Sequence, residues 1–199
     1  MKIAVVAPMV PKNVKELTKD CVIYAVDSAV SDLIKENIAI DIAIGDFDSL
    51  KDKNVLNDLK CIKLPKDKDI SDTNYAIRHA YEHTDEVILV GGLEGKRIDH
   101  LIANLLLFEK YNNLVIYNEH NIIKRLEVGE YTIKKEGFKY LSIFPLLNTK
   151  LTLTGTIYPL YDETLFEYDT LGLSNEIKYA SANLTIFKGV ILLIQSKEK

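Results

Sequence analysis

The segment Ile38-Ala39-Ile40-Asp41-Ile42-Ala43-Ile44-Gly45-Asp46-Phe47-Asp48-Ser49 joins an apolar run to a glycine and two closely spaced acids. The apolar residues predict a buried strand, and Gly45 allows the backbone to turn or to approach a ligand closely. In an extended segment, Asp46 and Asp48 would share one face. Two nearby carboxylates repel unless a cation lies between them, so the motif predicts a divalent-metal site. The alternative is a surface turn whose acids accept hydrogen bonds from local backbone donors.

This strand belongs to an alternation of short apolar runs and helical patterns that continues to about residue 117. Such alternation is typical of βαβ units and a parallel sheet. The predicted strands are Lys2–Ala7, Val22–Val26, Asp41–Ile44, Cys61–Leu64, Val87–Val90 and Leu114–Tyr117. Two helices are predicted over Thr73–His83 and Asp99–Tyr111. In the second helix Ile102, Leu105 and Leu106 make one face apolar, so both helices are expected to cover the sheet.

After Asn118 the pattern changes to β-branched and aromatic runs separated by turns, which predicts a sandwich or barrel. The predicted strands are Ile122–Leu126, Glu130–Ile133, Lys139–Phe144, Leu151–Thr154, Leu184–Phe187 and Val190–Ile194. Lys188-Gly189 is expected to form a tight hairpin turn between the last two. The predicted fold is therefore an α/β domain over residues 1–120, with a Rossmann-like, mostly parallel sheet and flanking helices. A smaller all-β sandwich domain follows over residues 121–199.

Composition narrows the functional classes. The 199 residues are 47% hydrophobic, and 25 basic against 29 acidic residues give a formal charge of -4. The charges are mixed, without the basic tail or stripe of nucleic-acid binders, so we expect no nucleic-acid partner. The first apolar run is too short for a secretory signal, and no run is long enough to span a membrane. We therefore expect a cytosolic protein without a membrane partner.

Polar motifs follow several predicted strands directly, and ligands of open α/β sheets bind outside the carboxyl ends of the strands. Asp27 follows the second strand, and Lys66-Asp67-Lys68-Asp69-Ile70-Ser71-Asp72 follows the fourth. Capping of the next helix by Ser71 or Asp72 explains one acid of this segment. It does not explain Asp69 and Asp72 together, which at i and i+3 would share a face of an incipient helix. With Asp46 and Asp48 they would complete an oxygen-rich Mg²⁺ site, and Lys68 would meet phosphate oxygens.

The segment Gly91-Gly92-Leu93-Glu94-Gly95-Lys96-Arg97-Ile98-Asp99-His100 is a glycine-rich loop that enters a helix. Such loops receive phosphates on backbone N–H groups, although this one is neither Gly-x-Gly-x-x-Gly nor a Walker A loop. Arg97 adds a planar cation whose fork matches phosphate. Asp99 either caps the helix or orients Arg97, and His100 is expected to have a structural role at the helix start.

Four motifs taken together resemble thiamine pyrophosphokinase, also called thiamine diphosphokinase. They are Gly45-Asp46-Phe47-Asp48-Ser49, Lys68-Asp69-x-Ser71-Asp72, Gly95-Lys96-Arg97-x-Asp99-His100 and Gly172-Leu173-Ser174-Asn175. The resemblance implies transfer of pyrophosphate from ATP to the thiamine hydroxyl, giving thiamine diphosphate and AMP. It also implies a homodimer whose thiamine site lies between subunits.

The resemblance implies roles for individual residues. Asp46, Asp48, Asp69 and Asp72 are expected to hold Mg²⁺, and these acids and Arg97 form the expected catalytic set. The residues expected at ATP are Asp27, Lys68, Gly92, Gly95, Lys96, Arg97, Asp99 and His100. Those expected at thiamine are Tyr158, from Gly155-Thr156-Ile157-Tyr158-Pro159-Leu160, with Ser174 and Asn175.

Three positions depart from the family pattern: Ser28 and Lys96 stand where glycine is usual or frequent, and Tyr158 stands where several relatives carry tryptophan. Two other functions remain open on the residues. One is a kinase or pyrophosphokinase for another small alcohol, such as a pterin carbinol. The other is a catalytically silent regulator that binds a nucleotide or thiamine. The retained acids and Arg97 favour an enzyme, because a binder needs fewer charges.

Overall fold

A computed structural model describes residues 1–67 and 69–198 of the chain, which divides into two compact units, Met1–Glu119 and His120–Lys199. The strands of the N-terminal unit are β1 (Ile3–Val6), β2 (Val22–Val26), β3 (Ile42–Gly45), β4 (Cys61–Lys63), β5 (Val87–Val90) and β6 (Val115–Tyr117). Its helices are α1 (Val14–Leu17), α2 (Ala29–Lys35), α3 (Asp72–Tyr81) and α4 (Ile98–Leu106), with 3₁₀ turns at Lys53–Leu56 and Leu107–Glu109. Among the described residues no helix has the length and apolar character needed to cross a membrane. The cytosolic location stays a prediction.

The strands of the N-terminal unit pair in the order β6-β5-β1-β2-β3-β4, and each of these pairings is parallel. This arrangement confirms the predicted α/β class. The chain builds the sheet outward from β1 through β4 on one side, then adds β5 and β6 on the other. The strand order therefore reverses between β1 and β5, which is the position where open α/β sheets bind ligands.

Helix α3 covers the sheet as predicted, because Ala76, Ile77 and Ala80 are buried and the helix packs against β1, β2 and β5. Helix α4 differs from its prediction. It ends at Leu106 and continues as a 3₁₀ turn, in which Leu107 and Phe108 are buried. Leu107 and Phe108 follow the buried Asn104 by three and four residues and share its buried face, whereas Ile98, Ile102 and Leu106 lie on the other face and are exposed. The prediction that the apolar face of this helix covers the sheet is therefore wrong.

The C-terminal unit is built from antiparallel strands. They are β7 (Asn121–Leu126), β8 (Gly129–Lys134), β9 (Tyr140–Pro145), β10 (Thr149–Thr154), β11 (Leu160–Leu165), β12 (Asn175–Glu176), β13 (Ser181–Lys188) and β14 (Ile191–Ser196). One sheet has the order β12-β9-β14-β7 and the other β11-β10-β13-β8. Apolar side chains from both sheets form one core that includes Leu141, Leu151 and Leu193. This packing confirms the predicted sandwich.

The predicted hairpin at Lys188-Gly189 is wrong, because β13 and β14 belong to different sheets and do not pair with each other. Lys188-Gly189 instead carries the chain from one sheet to the other. Gly189 has φ +94°, and a Cβ there would lie 2.3 Å from Thr149 Oγ1. Glycine is thus required here because the backbone passes very close to Thr149, the first residue of β10. A glycine at this position alone does not distinguish a hairpin from a crossover between sheets.

Candidate functional site

The loops that follow β1 and β5 enclose a pocket of about 180 Å³ at the point where the strand order reverses. Its lining comes from the β1 loop, the start of α3, the glycine-rich loop and α4: Ala7, Pro8, Met9, Thr73, Gly92, Glu94, Gly95, Lys96, Arg97, His100 and Asn104. Sequence reasoning predicted the contribution of the glycine-rich loop and missed that of the β1 loop. The signal was present, since Pro8 and Met9 also follow an apolar run directly.

Asp27 and Gly45 are in close contact at the ends of β2 and β3. A Cβ on Gly45 would lie 2.0 Å from Asp27 Oδ1, and Gly45 has φ +154°. The Asp27 carboxylate accepts a hydrogen bond from Phe47 N at 3.3 Å, so it lies across the backbone of the next loop. Glycine is therefore needed at position 45 because the Asp27 side chain occupies the space that a Cβ would take.

Asp46 and Asp48 lie in a turn, because β3 ends at Gly45 and Phe47 has φ +56°. The premise that an extended segment puts both acids on one face is wrong here. Asp46 Oδ1 accepts a hydrogen bond from Asp48 N at 2.9 Å. Phe47, the residue between the two acids in the sequence, is buried. Asp46 is half-buried and Asp48 exposed. The burial of Phe47 fixes the turn to the core and directs the two acids differently.

Asp48 has cationic neighbours. It forms an ion pair with Lys66 and lies 3.8 Å from Lys53 Nζ. Both lysines are on the surface, so these pairs are readily exchanged for other charged groups.

Helix α3 begins at Asp72, and its N-cap is Ser71, whose Oγ accepts a hydrogen bond from Asn74 N at 3.2 Å. Ser71 has an extended backbone, so Asp69 precedes the helix and does not share a helical face with Asp72. The premise for pairing these two acids by helical spacing is therefore wrong. Asp69 is exposed, whereas Asp72 is half-buried. Lys68, which was expected to meet phosphate, lies outside the described residues.

Asp72 contacts Asp27, a pairing that the sequence did not indicate. Burial, as the largest cause, the nearby charges of Asp72 and Asp46, and a side-chain hydrogen bond with Asp72 together raise the pKa of Asp27 from 3.8 to about 6. The hydrogen bond from Phe47 N opposes this shift. Negative charge is thus crowded at the ends of β2 and β3 and the start of α3, a condition that a bound cation would relieve.

Within residues 1–67 and 69–198, no three His, Cys, Asp or Glu side chains lie close enough together to enclose a metal ion. The donors that do approach one another are carboxylate oxygens, which suit a hard cation such as Mg²⁺. Mg²⁺ is commonly held by one or two carboxylates together with substrate phosphates and water. The acids here fit that shared mode of binding better than an all-protein cage.

The glycine-rich loop is held by a residue that sequence reasoning missed. The buried Asn104 of α4 donates from Nδ2 to Gly92 O at 2.7 Å. A Cβ on Gly92 would lie 2.6 Å from that same nitrogen, and Gly92 has φ +74°. Both the glycine and the buried amide are therefore needed for the loop to pass so close to the helix. The available signal was a single Asn within the otherwise apolar run of residues 101–108.

Arg97 and Asp99 form the exposed entrance to α4. Arg97 Nε donates to Asp99 Oδ1 at 2.9 Å and to Oδ2 at 3.1 Å, and Nη2 also donates to Oδ2. The hydrogen bonds from Arg97 lower the pKa of Asp99 to about 2, and the same contact raises the pKa of Arg97. Of the two expected roles of Asp99, the structure shows the pairing with Arg97. Lys96 and His100 are also exposed beside this pair.

In the C-terminal unit, Tyr158 and Ser174 are exposed and Asn175 is buried. Ser174 has φ +57°, and its N–H donates to Ser142 Oγ of β9 at 3.0 Å. Asn175 begins β12, which pairs with β9. The Asn175 side chain bonds to both the N–H and the C=O of Tyr158. These three predicted residues are thus brought together on one edge of the sandwich.

This chain matches two family models and is similar to known proteins. The model described as thiamin pyrophosphokinase, catalytic domain, matches residues 14–118, and the model of the vitamin B1 binding domain of thiamin pyrophosphokinase matches residues 130–191. Thiamine pyrophosphokinase of Bacillus subtilis is 30% identical over 184 residues, covering 87% of this chain and 86% of that protein.

Solved structures extend this similarity to the whole chain. The crystal structure of the Bacillus subtilis enzyme is 27% identical, covers 100% of both chains and has a TM-score of 0.90. That of thiamin pyrophosphokinase from Geobacillus thermodenitrificans is 28% identical, covers 100% of this chain and 99% of the other, and has a TM-score of 0.88. The two matched ranges include the acids and Arg97 in the first unit, and Tyr158 and Ser174 in the second.

Proposed function

Because this chain belongs to the thiamine pyrophosphokinase family, we propose that it transfers the pyrophosphoryl group of ATP to the hydroxyl of thiamine. The products are thiamine diphosphate and AMP. The observation that carries the proposal is the crowding of carboxyl groups around Asp27 at the sheet edge where the glycine-rich loop and Arg97 also lie. Transfer from a polyphosphate asks a protein mainly for positioning and charge neutralisation, which these groups supply.

ATP is proposed to bind at the carboxyl ends of the strands in the N-terminal unit. Gly92, Gly95, Lys96, Arg97 and His100 border the same pocket, where backbone N–H groups and cationic side chains would receive the phosphates. Asp27, Lys68 and Asp99 complete the proposed nucleotide set, Asp99 by holding the Arg97 guanidinium. Arg97 retains donors beyond those used on Asp99, so it can bond to a phosphate without releasing its partner.

Asp46, Asp48, Asp69 and Asp72 are the proposed Mg²⁺ ligands, with phosphate oxygens of ATP supplying further ligands. When bound, Mg²⁺ would neutralise phosphate charge. Arg97 stabilises charge on the transferred group as the thiamine oxygen attacks the β-phosphorus and AMP leaves. Any of these acids that is not bound to the metal could accept the hydroxyl proton.

Incubation of the purified protein with Mg-ATP and thiamine tests the reaction directly. We expect AMP and thiamine diphosphate, whereas a simple kinase would release ADP and a silent binder neither nucleotide. Replacement of thiamine by a pterin carbinol should give no product. ADP formation, or activity on the pterin alone, would refute the proposal.

Asp46→Asn and Asp48→Asn should each remove most activity at saturating Mg²⁺ and leave the fold intact, because each deletes a metal-directed charge from a surface loop. The exposed Asp58→Asn is the matched charge control. Turnover close to that of the control in both loop variants would exclude the metal role of these acids.

We propose that Tyr158, Ser174 and Asn175 form the thiamine site, and that this site lies between the subunits of a homodimer. The C-terminal unit supports this with exposed aromatic side chains, among them Tyr158 and a stacked pair, Phe166 and Tyr168, with ring centroids 5.8 Å apart. Exposed apolar groups of this kind are typical of surfaces that bind a ligand or a partner. An aromatic ring also suits the cationic thiazolium of thiamine.

Subunit exchange tests the shared site. Tyr158→Ala should raise the KM for thiamine more than that for ATP, by an energy of about 1 to 2 kcal/mol. Mixing this variant with the Asp46→Asn, Asp48→Asn double variant should restore some activity, because one site of a heterodimer would combine two intact halves. If exchanged samples recover nothing while both parents stay folded and dimeric, each thiamine is held within one chain.

A further inference from the structure

The Asn175 side chain forms hydrogen bonds with both backbone groups of Tyr158, its N–H and its C=O. Asn175 Oδ1 accepts from Tyr158 N at 3.1 Å, and Asn175 Nδ2 donates to Tyr158 O at 2.6 Å. Oδ1 also accepts from Glu176 N at 2.9 Å. Asn175 is 4% exposed, whereas Tyr158 is 68% exposed. The amide is therefore directed into the protein, while the ring that it supports faces solvent.

The backbone pairing around these two residues explains why a side chain, and not the backbone of Asn175, bonds to Tyr158. The segment before Tyr158 pairs with the one after Asn175: Ile157 N donates to Glu176 O at 2.9 Å, and Lys178 N donates to Gly155 O at 2.9 Å. The antiparallel bridge between Thr156 and Ile177 puts Tyr158 opposite Asn175.

A regular ladder cannot continue beyond this point. The next residue, Pro159, has no N–H to donate. The backbone of Asn175 is already paired with Leu141 of β9 on its other side. The Asn175 amide forms the last hydrogen bonds between the two segments and joins the exposed Tyr158 to the sheet.

We propose that Asn175 is a positioning residue for thiamine, which acts through the backbone of Tyr158 and not by touching the vitamin. This inference rests on the proposed function of Tyr158 as the aromatic platform. Its structural basis is that the amide oxygen and one amide hydrogen are committed to the protein and almost none of the side chain is exposed. The neighbouring Ser174 is exposed and remains the residue that can bond to thiamine directly.

Asn175→Asp separates the two roles, because they predict opposite effects. An aspartate of nearly the same shape keeps the two accepted hydrogen bonds but turns an oxygen toward the Tyr158 carbonyl, where a donor is needed. Two facing acceptors repel, so the platform should loosen and thiamine should bind more weakly. If residue 175 touched the thiamine cation directly, the added negative charge would strengthen binding.

The experiment uses Tyr158→Trp as the parent, since the chain contains no tryptophan and the new indole reports from the platform alone. Asn175→Ala and Asn175→Asp are introduced into this parent. Gln195→Ala is the matched control, because Gln195 is another buried amide, 6% exposed, whose Nε2 donates to Lys134 O at 2.9 Å. Acrylamide quenching and anisotropy of the indole measure its mobility without any ligand, and steady-state kinetics give the KM for each substrate.

We expect both Asn175 variants to increase indole mobility and to raise the KM for thiamine about tenfold, the effect of losing a stacking contact, with the KM for ATP changed less than about twofold. The Gln195 control should change neither mobility nor the KM for thiamine. Unchanged mobility in a folded Asn175 variant, or tighter thiamine binding by Asn175→Asp, would overturn the inference. A parent that makes no AMP and shows no fluorescence response to thiamine would instead refute the proposed function, and the mobility measurement would still decide the role of Asn175.

Discussion

Asp27→Asn should stabilise the metal-free protein at alkaline pH while it abolishes or strongly reduces activity. The Asp27 carboxyl is partly buried beside Asp72 and Asp46, and these surroundings raise its pKa from 3.8 to about 6. An asparagine has nearly the same shape. Its oxygen can still accept from Phe47 N, and its amide nitrogen can donate to Asp72.

The size and sign of the effect follow from proton linkage. An acid whose pKa is raised on folding contributes its full stability below the unfolded value of 3.8 and loses it as the pH rises through about 6. Multiplying the difference between these values by about 1.4 kcal/mol per pKa unit gives about 3 kcal/mol, and solvent screening of this partly exposed carboxyl reduces the expected loss in the wild type by pH 8 to about 1 to 2 kcal/mol. The asparagine does not titrate, so the variant avoids this loss.

Urea unfolding in EDTA at pH 4 and pH 8, followed by a spectroscopic probe in the N-terminal unit, measures the difference. We expect the free energy of unfolding of Asp27→Asn, relative to that of the wild type, to be higher at pH 8 than at pH 4. Asp58→Asn, at an exposed position, should show no such difference between the two pH values. Mg²⁺ at pH 8 should stabilise the wild type more than the variant. An Asp27→Asn effect that is the same at both pH values would show that the carboxyl is not crowded in the folded protein.

Three further substitutions test the loops. Gly45→Ala should lower the free energy of unfolding by about 2 to 3 kcal/mol in urea melts, because its Cβ would lie 2.0 Å from Asp27 Oδ1 at a φ of +154°; an unchanged melt would contradict this. Asn104→Ala removes the donor to the Gly92 carbonyl and should cost about 1 to 3 kcal/mol and raise the KM for ATP, while an unchanged KM would exclude a role in shaping the loop. Arg97→Lys should lower kcat/KM about tenfold or more without changing the unfolding midpoint, since a fork becomes a point charge, and unaltered kinetics would make Arg97 a surface residue only.

Local sequence patterns predict best those strands and helices that have a strong hydrophobic pattern. Val22–Val26 and Val87–Val90 are strands with the predicted bounds. Elements with weak signals were missed. Helix α2 has only seven residues, the middle of β11 is exposed, and β12 contains two residues. Such short or exposed elements are stabilised by neighbours that are distant in sequence, so their own residues carry little information.

Glycines illustrate a different limit. Gly45, Gly92 and Gly189 could each be recognised in the sequence as positions of unusual backbone or close approach. What approaches each of them could not be inferred, because the neighbours are Asp27, Asn104 and Thr149, which are between 12 and 40 residues away in the chain. The hairpin predicted at Gly189 failed for this reason.

The sequence by itself determined the α/β and sandwich classes, the family and the residue types of the site, because hydrophobic period and motif order are properties of the chain. Only the tertiary structure decided how the site residues are paired. Local spacing suggested that Asp46 belongs with Asp48 and Asp69 with Asp72. The parallel sheet instead brings the end of β2 beside the start of α3, so that Asp27 meets Asp72. Side chains are directed by burial and by contacts across strands, and neither is contained in the spacing of residues along the chain.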